Sequence, residues 1–395
     1  MRPRRVLLVG HRAELAGAEV ALANFAAHLD RRRYVPSVLL PNAGPVCGLL
    51  DAHHIPYYCL PAPSYEVTSE TPWDSPANLR AIRPLRDAIA ALSPDVIVVN
   101  TNTIPQACIA ALTMNIPLAV HLHAFVTRRQ SPWLSNRERT GDQMWMQFAD
   151  AIMACSTWVA DFYEALLERP VAVVPNTTWM MDTGAAMPPA PPRFVMLATL
   201  EFHKRADLFI EAAALVRSRQ PKTAFECRVY GDGAREQREK LQQTIERHGL
   251  GAVFKLYPAQ SDTAAIYRDA TCAVVPSDIE PFSMVCIEAA AHGRPVIATR
   301  SGGPQDIVTD GETGFLIETG DSGALADRML RMLAEPDTAA QMGAAARRRF
   351  ERDYAPEAVM PQYLAVLDAA LSQSSAERRR IGQVAARYFM TRHEA

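Results

Sequence analysis

The stretch CAVVPSDIEPFSMVCIEAAAHGRPVIATR, residues 272–300, decides how the chain folds. CAVVPS (272–277) and PVIATR (295–300) are short apolar runs of the kind that form strands buried on both faces of a parallel sheet. The residues between them have helical character. Pro281 suits the first turn of a helix, where its missing N–H costs nothing, and Gly293 provides a stop, so a helix is expected from about Phe282 to His292. A strand, a short loop and a helix start make an anion site, because unpaired amides at 282–285 and the helix dipole both favour phosphate. Glu280 sits in the loop just before this helix. Glu288 lies in the second turn, and helical side chains lean back toward the N-terminus. Two carboxylates repel phosphate. They make sense if they accept hydrogen bonds from hydroxyls on either side of it, one set on a sugar and the other on a ribose. Alternatively, Glu280 caps the helix and Glu288 makes a cross-domain salt bridge.

The same alternation of strand and helix runs outward along the chain. VLLVG (6–10), VPSVLL (35–40), DVIVVN (95–100), PLAVHLH (117–123), AIMACS (151–156) and VAVVPN (171–176) read as strands of a first half. FVMLATL (194–200), ECRVYG (226–231), VFKLY (253–257) and GFLI (314–317) join the two runs quoted above in a second half. The proline-rich PPAPP (188–192) between the halves is a stiff, non-helical connector. The expected organisation is therefore α/β: a Rossmann-like domain at 1–180, a linker at 181–193 and a second Rossmann-like domain at 194–365. Two such doubly wound domains facing each other place the carboxyl ends of both sheets around one cleft. Helical spacing marks 323–334, 338–352 and 356–371, and C-terminal helices at 366–395 are expected to pack back on the first domain. The alternative for the last stretch, AERRRIGQVAARYFMTRHEA, is a membrane-surface helix. In that case Arg378, Arg379, Arg380 and Arg387 meet anionic headgroups while Ile381, Val384 and Phe389 insert.

Bulk properties narrow the class. A chain of 395 residues with 49% hydrophobic and 21% charged content fits a soluble enzyme of two large domains, and a net charge of -2 gives no electrostatic case for nucleic acid. The basic start MRPRRVLLVG lacks the apolar core and cleavage site of a signal peptide, and no run reaches transmembrane length. The seven cysteines are odd in number, scattered and without a metal-type pair, which points to reduced thiols. A cytoplasmic protein is expected, with peripheral contact at the inner face of a membrane as a further option. The sequon at Asn176 is then accidental.

EPFSMVCIEAAAHGRPVIATRSGGPQDIVTDGETGFLI (280–317) resembles the family-4 glycosyltransferases, retaining sugar transferases of the two-domain GT-B fold. The likeness extends through VYGDGAREQREKLQQTIERHGL (229–250) and IYRDATCAVVPS (266–277), and more weakly through LAGAEVALANFAAHL (15–29) and HLHAF (121–125). The resemblance implies that Glu280 binds hydroxyls of the donor sugar, and that the backbone at Pro281, Phe282, Ser283 and Met284 meets the sugar and diphosphate. Glu288 then holds the ribose. It also implies that Gly17 and Ala18, after the first strand, let backbone approach the donor phosphates. His123 matches the active-site histidine beside the transferred sugar, with His121 as a competitor on the same strand face, and Lys204 matches the cation on the leaving diphosphate.

Several positions depart from that pattern. Ala198-Thr199 stands where Gly-Arg is usual, so the second phosphate cation at Thr199 is missing or supplied by Arg205 or another residue. Tyr257 and Ser283 replace glycines, and Asp306 replaces a glutamate.

The family mechanism has the acceptor hydroxyl attack the anomeric carbon on the face the diphosphate leaves. No Asp-x-Asp occurs, so neither a catalytic metal nor another cofactor is expected, and the nucleotide-diphosphate sugar is a co-substrate. Acceptors remain open among glycans, lipid-linked molecules and small molecules, in cell-surface polysaccharide, glycolipid or natural-product glycan synthesis. The loop at 59–79, with Tyr65 and Trp73, and the arginines 128, 129, 137 and 139 are candidates for contacting them. The rival functions are a nucleotide-sugar-binding partner subunit with impaired catalysis and a nucleotide-sugar epimerase. A nicotinamide dehydrogenase is disfavoured because VYGDGA lacks the third glycine of its fingerprint.

Overall fold

A computed structural model describes residues 2–60, 80–124, 145–178, 190–260, 262–373, 376, 378–380 and 382–383. The loop residues Tyr65 and Trp73, the arginines 128, 129, 137 and 139, most of the linker, and Ile381, Val384, Arg387 and Phe389 lie outside them. The chain forms two compact units, Met1–Thr177 with Pro356–Ala395, and Thr178–Ala355.

In the first unit, β1 (Arg4–Val9), β2 (Tyr34–Leu40), β3 (Tyr57–Cys59), β4 (Val96–Val99), β5 (Leu118–Leu122), β6 (Ala151–Ala154) and β7 (Ala172–Val173) make a parallel sheet. Its order is β3-β2-β1-β4-β5-β6-β7. In the second, β8 (Arg193–Leu197), β9 (Glu226–Tyr230), β10 (Phe254–Tyr257), β11 (Cys272–Val275), β12 (Val296–Thr299) and β13 (Gly314–Ile317) pair in parallel as β10-β9-β8-β11-β12-β13. Strands such as VIVV of β4 and CAVV of β11 are buried along their whole length, because helices cover both faces of the sheet. Both sheets reverse their winding beside their first strand, between β1 and β4 and between β8 and β11. Loops leaving the carboxyl ends there diverge and open a crevice, the usual ligand position in such sheets.

The fold departs from the sequence expectations in several places. β3 was not anticipated, because a three-residue edge strand, half-buried to exposed, carries too little apolar pattern. VAVVPN contributes only the two exposed residues of β7. The helix Pro356–Ser372 belongs wholly to the first unit, so the second ends at Ala355 and not at 365. Periodicity identifies a buried face but not the sheet that buries it. Here Tyr363 stacks on Phe25 with ring centroids 4.3 Å apart, and Tyr34 donates to Asp368 at 2.6 Å.

Beyond this helix, Arg378 turns inward. Its Nε lies 3.2 Å from Asp150 Oδ1, both side chains are 7% exposed, and it also donates to the carbonyls of Ala370 and Gln373. Arg378 is thus a packing residue and not a headgroup ligand, whereas Arg379 and Arg380 are exposed. Among the described residues, no helix is long and apolar enough to cross a membrane.

Candidate active site

The strongest cluster lies at the switch point of the second sheet. After β8 the chain makes a 3-10 turn, Phe202–Lys204, and after β11 it runs into the loop holding Glu280. Lys204 Nζ meets Glu280 Oε2 at 2.7 Å, so one ion pair spans the crevice between the two strands. Ser277 donates to the same carboxylate oxygen at 3.3 Å. The backbone of Glu280 is pinned as well: its N–H donates to Ser301 O at 2.9 Å and its carbonyl accepts from Gly303 N at 2.7 Å. A side chain at 303 is excluded, since a Cβ there would lie 2.3 Å from Phe282 Cα.

The helix beside this loop is Met284–Ala291, starting two residues later than expected. Pro281 therefore lies in the approach to the helix and not in its first turn. Ser283 is the N-cap, with its Oγ accepting from the Cys286 amide at 3.3 Å. Its φ is +114°, in the region that favours glycine, which gives a physical reason for the glycine usual there in the family. Such a conformation costs about 1–3 kcal/mol in a non-glycine residue and is held by its surroundings. The amides of Met284 and Val285 head the helix with no intrahelical acceptor, the kind of helix start that suits an anion.

Arg205 forms the left-handed turn that ends the 3-10 segment, with φ +57°. Its guanidinium is engaged by Asp207 at 3.1 Å and Asp278 at 2.9 Å, and those hydrogen bonds raise its pKa. Thr199 is exposed on the loop after β8. The two glycines of VYGDGA are explained by packing: a Cβ on Gly231 would strike the Ala198 carbonyl, and one on Gly233 would lie 2.8 Å from Leu200 Cβ.

Glu288 is buried, and Oε2 accepts from Tyr267 Oη at 2.9 Å. Burial pushes its carboxyl up to about 7, against the Tyr267 hydrogen bond, which favours the charged form. The folded state therefore keeps a proton that the unfolded chain has already lost. Stability from this group is complete below pH ~4.3, the unfolded value, and is lost as pH rises through the folded one. Glu288→Gln cannot ionise, so it should gain roughly 3 kcal/mol on the wild type between pH 5 and pH 8.5. Urea denaturation of both proteins at the two pH values checks this, and parallel pH dependence would refute it.

The first unit gathers a separate set of residues at its own switch point. His123 follows β5, and its Nε2 lies 3.0 Å from Oδ1 of Asn100, which follows β4. Asn100 also donates to the Ala18 carbonyl at 2.8 Å, in the first turn of the helix Gly17–His28. His11, on the loop after β1, contacts Glu19 Oε1 at 3.1 Å. Burial and, secondarily, the neighbouring His121 and His11 hold His123 well below the ordinary histidine range. His121 lies inside the core with its ring 4.1 Å from that of His123, and burial pushes it down to about 3. Asn100, Glu19, Tyr267 and Ser277 were not singled out in the sequence; a polar residue directly ending the strand run DVIVVN was the available clue for Asn100. Among the described residues, no three His, Cys, Asp or Glu side chains converge as metal ligands.

Two family profiles together cover most of the chain: "Glycosyl transferases group 1" matches residues 184–349 and "Glycosyl transferase 4-like domain" matches 16–177. The chain belongs to the group 1 glycosyltransferases. This glycosyltransferase is 27% identical over 273 residues to the glycogen synthase of Mycobacterium tuberculosis, a match spanning 66% of this chain and 65% of that protein. It is 33% identical over 145 residues to the D-inositol 3-phosphate glycosyltransferase of an Arthrobacter species, 36% of this chain and 34% of that one. HepE of Anabaena, solved with UDP and glucose, superimposes with a TM-score of 0.78 at 20% identity, covering 93% of this chain and all of HepE. Sucrose-phosphate synthase of Thermosynechococcus elongatus gives 0.75 at 18% identity over 94% of this chain and all of that one. The fold of this group 1 glycosyltransferase is GT-B.

Proposed function

We propose that this protein transfers a sugar from a nucleotide-diphosphate sugar to a hydroxyl acceptor with retention of configuration and without a catalytic divalent metal. The observation that carries this reading is the Lys204–Glu280 pair at 2.7 Å, set across a switch point beside a helix N-terminus. On donor binding, Lys204 and the amides of Met284 and Val285 meet the diphosphate, while Glu280 accepts hydrogen bonds from sugar hydroxyls. Glu288 accepts from the ribose in its ionised form, and His123 stands beside the transferred sugar. The acceptor oxygen bonds to the anomeric carbon as the bond from that carbon to the phosphate oxygen breaks. The acceptor's proton passes to the leaving oxygen, giving a glycoside and a nucleoside diphosphate. Charge growing on that oxygen is what Lys204 stabilises. Cell-surface polysaccharide, glycolipid or natural-product glycan synthesis supplies the acceptor class, with the protein acting at the cytoplasmic side.

HepE was solved with UDP and glucose, which makes UDP the first base to test. A ligand at 100 times its Kd adds about 2.7 kcal/mol of stability. Thermal unfolding with UDP, GDP, ADP and their sugars should therefore show one base shifting the wild type and not Glu288→Ala. Turnover should persist in EDTA; its loss there with rescue by manganese would overturn the metal-free reading. One observation favours a second function: with Arg205 engaged by Asp207 and Asp278 and a threonine at 199, a nucleotide-sugar-binding subunit with impaired catalysis is the runner-up. Donor hydrolysis abolished by Glu280→Ala separates the two.

A further inference from the structure

We propose that Asn100 is a positioning residue that fixes His123 as the Nε2–H tautomer and so presents Nδ1 as a bare acceptor for a hydroxyl of the bound sugar. The proposal rests on the reading of His123 as a neighbour of that sugar. Asn100 is 2% exposed, and its Nδ2 lies 2.8 Å from the Ala18 carbonyl. A carbonyl oxygen only accepts, so the nitrogen end of the amide is committed to the helix Gly17–His28 and Oδ1 is the end that faces His123. Oδ1 lies 3.0 Å from His123 Nε2. An amide oxygen also only accepts, so Nε2 carries the hydrogen. In a neutral imidazole the other nitrogen is then a lone pair.

The surroundings keep the ring neutral. Burial is the main cause, and His121 against the ring and His11 on the loop after β1 add to it. His123 Nδ1 is buried with no hydrogen-bond partner, a deficit of about 1–3 kcal/mol that a ligand hydroxyl would remove. One amide thus links the backbone at Ala18 to the ring, so the turn after β1 and the histidine after β5 keep a fixed relation.

The test is the two-bond proton–nitrogen spectrum of histidine-labelled protein, joined to UDP-glucose hydrolysis as the activity probe. The wild type at pH 7 should show His123 with a protonated Nε2 and an unprotonated Nδ1. Asn100→Asp puts a carboxylate in the same place, favours the imidazolium and should move the His123 titration upward far enough for the imidazolium to predominate at pH 6. Hydrolysis by this variant should fall at least tenfold at pH 6 and recover toward pH 8.5, a profile absent from the wild type. A protonated Nδ1 in the wild type overturns the assignment without reference to any ligand or variant. A flat pH profile for folded Asn100→Asp overturns the positioning role. If His123→Ala leaves UDP-glucose turnover unchanged, the functional reading of His123 falls and the sugar contact with it, whatever the tautomer.

Discussion

Lys204→Met should lower kcat for sugar transfer about 100- to 1000-fold, the usual effect of removing one preorganised contact to charge that develops in the transition state. Two effects act in the same direction. The leaving diphosphate loses its cation, and Glu280 loses the partner at 2.7 Å that neutralises it beside a phosphate site. Lys204→Arg keeps the charge and should retain more activity, although its planar fork does not reproduce a point charge. Nucleotide affinity should fall less than turnover, because the ground-state diphosphate still has the helix amides. Initial rates and equilibrium binding of the same nucleotide sugar decide the matter: a Lys204→Met enzyme within threefold of wild type in kcat would remove Lys204 from the mechanism.

Arg378→Met should cost the first unit about 3–5 kcal/mol, because it leaves Asp150 buried without its cation. Burial already holds the Asp150 carboxyl above its usual range, opposed by the Leu118 amide at 2.8 Å and by Arg378. Removing the arginine raises it further. A carboxyl raised in the folded state is stabilising below its unfolded value and loses that contribution as pH climbs through the folded one. The variant's deficit should therefore shrink at acid pH, and Asp150→Asn combined with Arg378→Met should recover most of the loss. Denaturation midpoints at pH 5 and pH 8 measure this. An unchanged midpoint for the single variant would show that the pair contributes nothing.

The strand runs were legible in the sequence wherever both faces are covered, since a parallel strand such as VIVV or CAVV is apolar throughout. The edge strands were not, because Tyr57–Cys59 and Ala172–Val173 bury little. Pro281 misdirected the helix start because the left-handed turn at Ser283 intervenes; serine three residues before Cys286 was the better cap candidate. Lys204 and Glu280 could each be picked out by resemblance. Their mutual pairing across 76 residues could not, and neither could Tyr267 on Glu288, since no local pattern encodes a partner on another loop. The fate of Arg378 was hidden for the same reason: the carboxylate it pairs with lies 228 residues earlier.

The helix Pro356–Ser372 and Arg378 complete a unit whose other part ends at Thr177. A ribosome makes this protein in the opposite order from the one in which that unit closes. At about 5–20 residues per second, synthesis of the intervening unit takes roughly ten to forty seconds. Throughout that time Phe25 has no Tyr363 to stack on and Asp150 lacks Arg378, while the second unit, contiguous in sequence, is already free to fold. The nascent first unit thus passes through a stage with an uncovered apolar face, which makes it the part most in need of a chaperone.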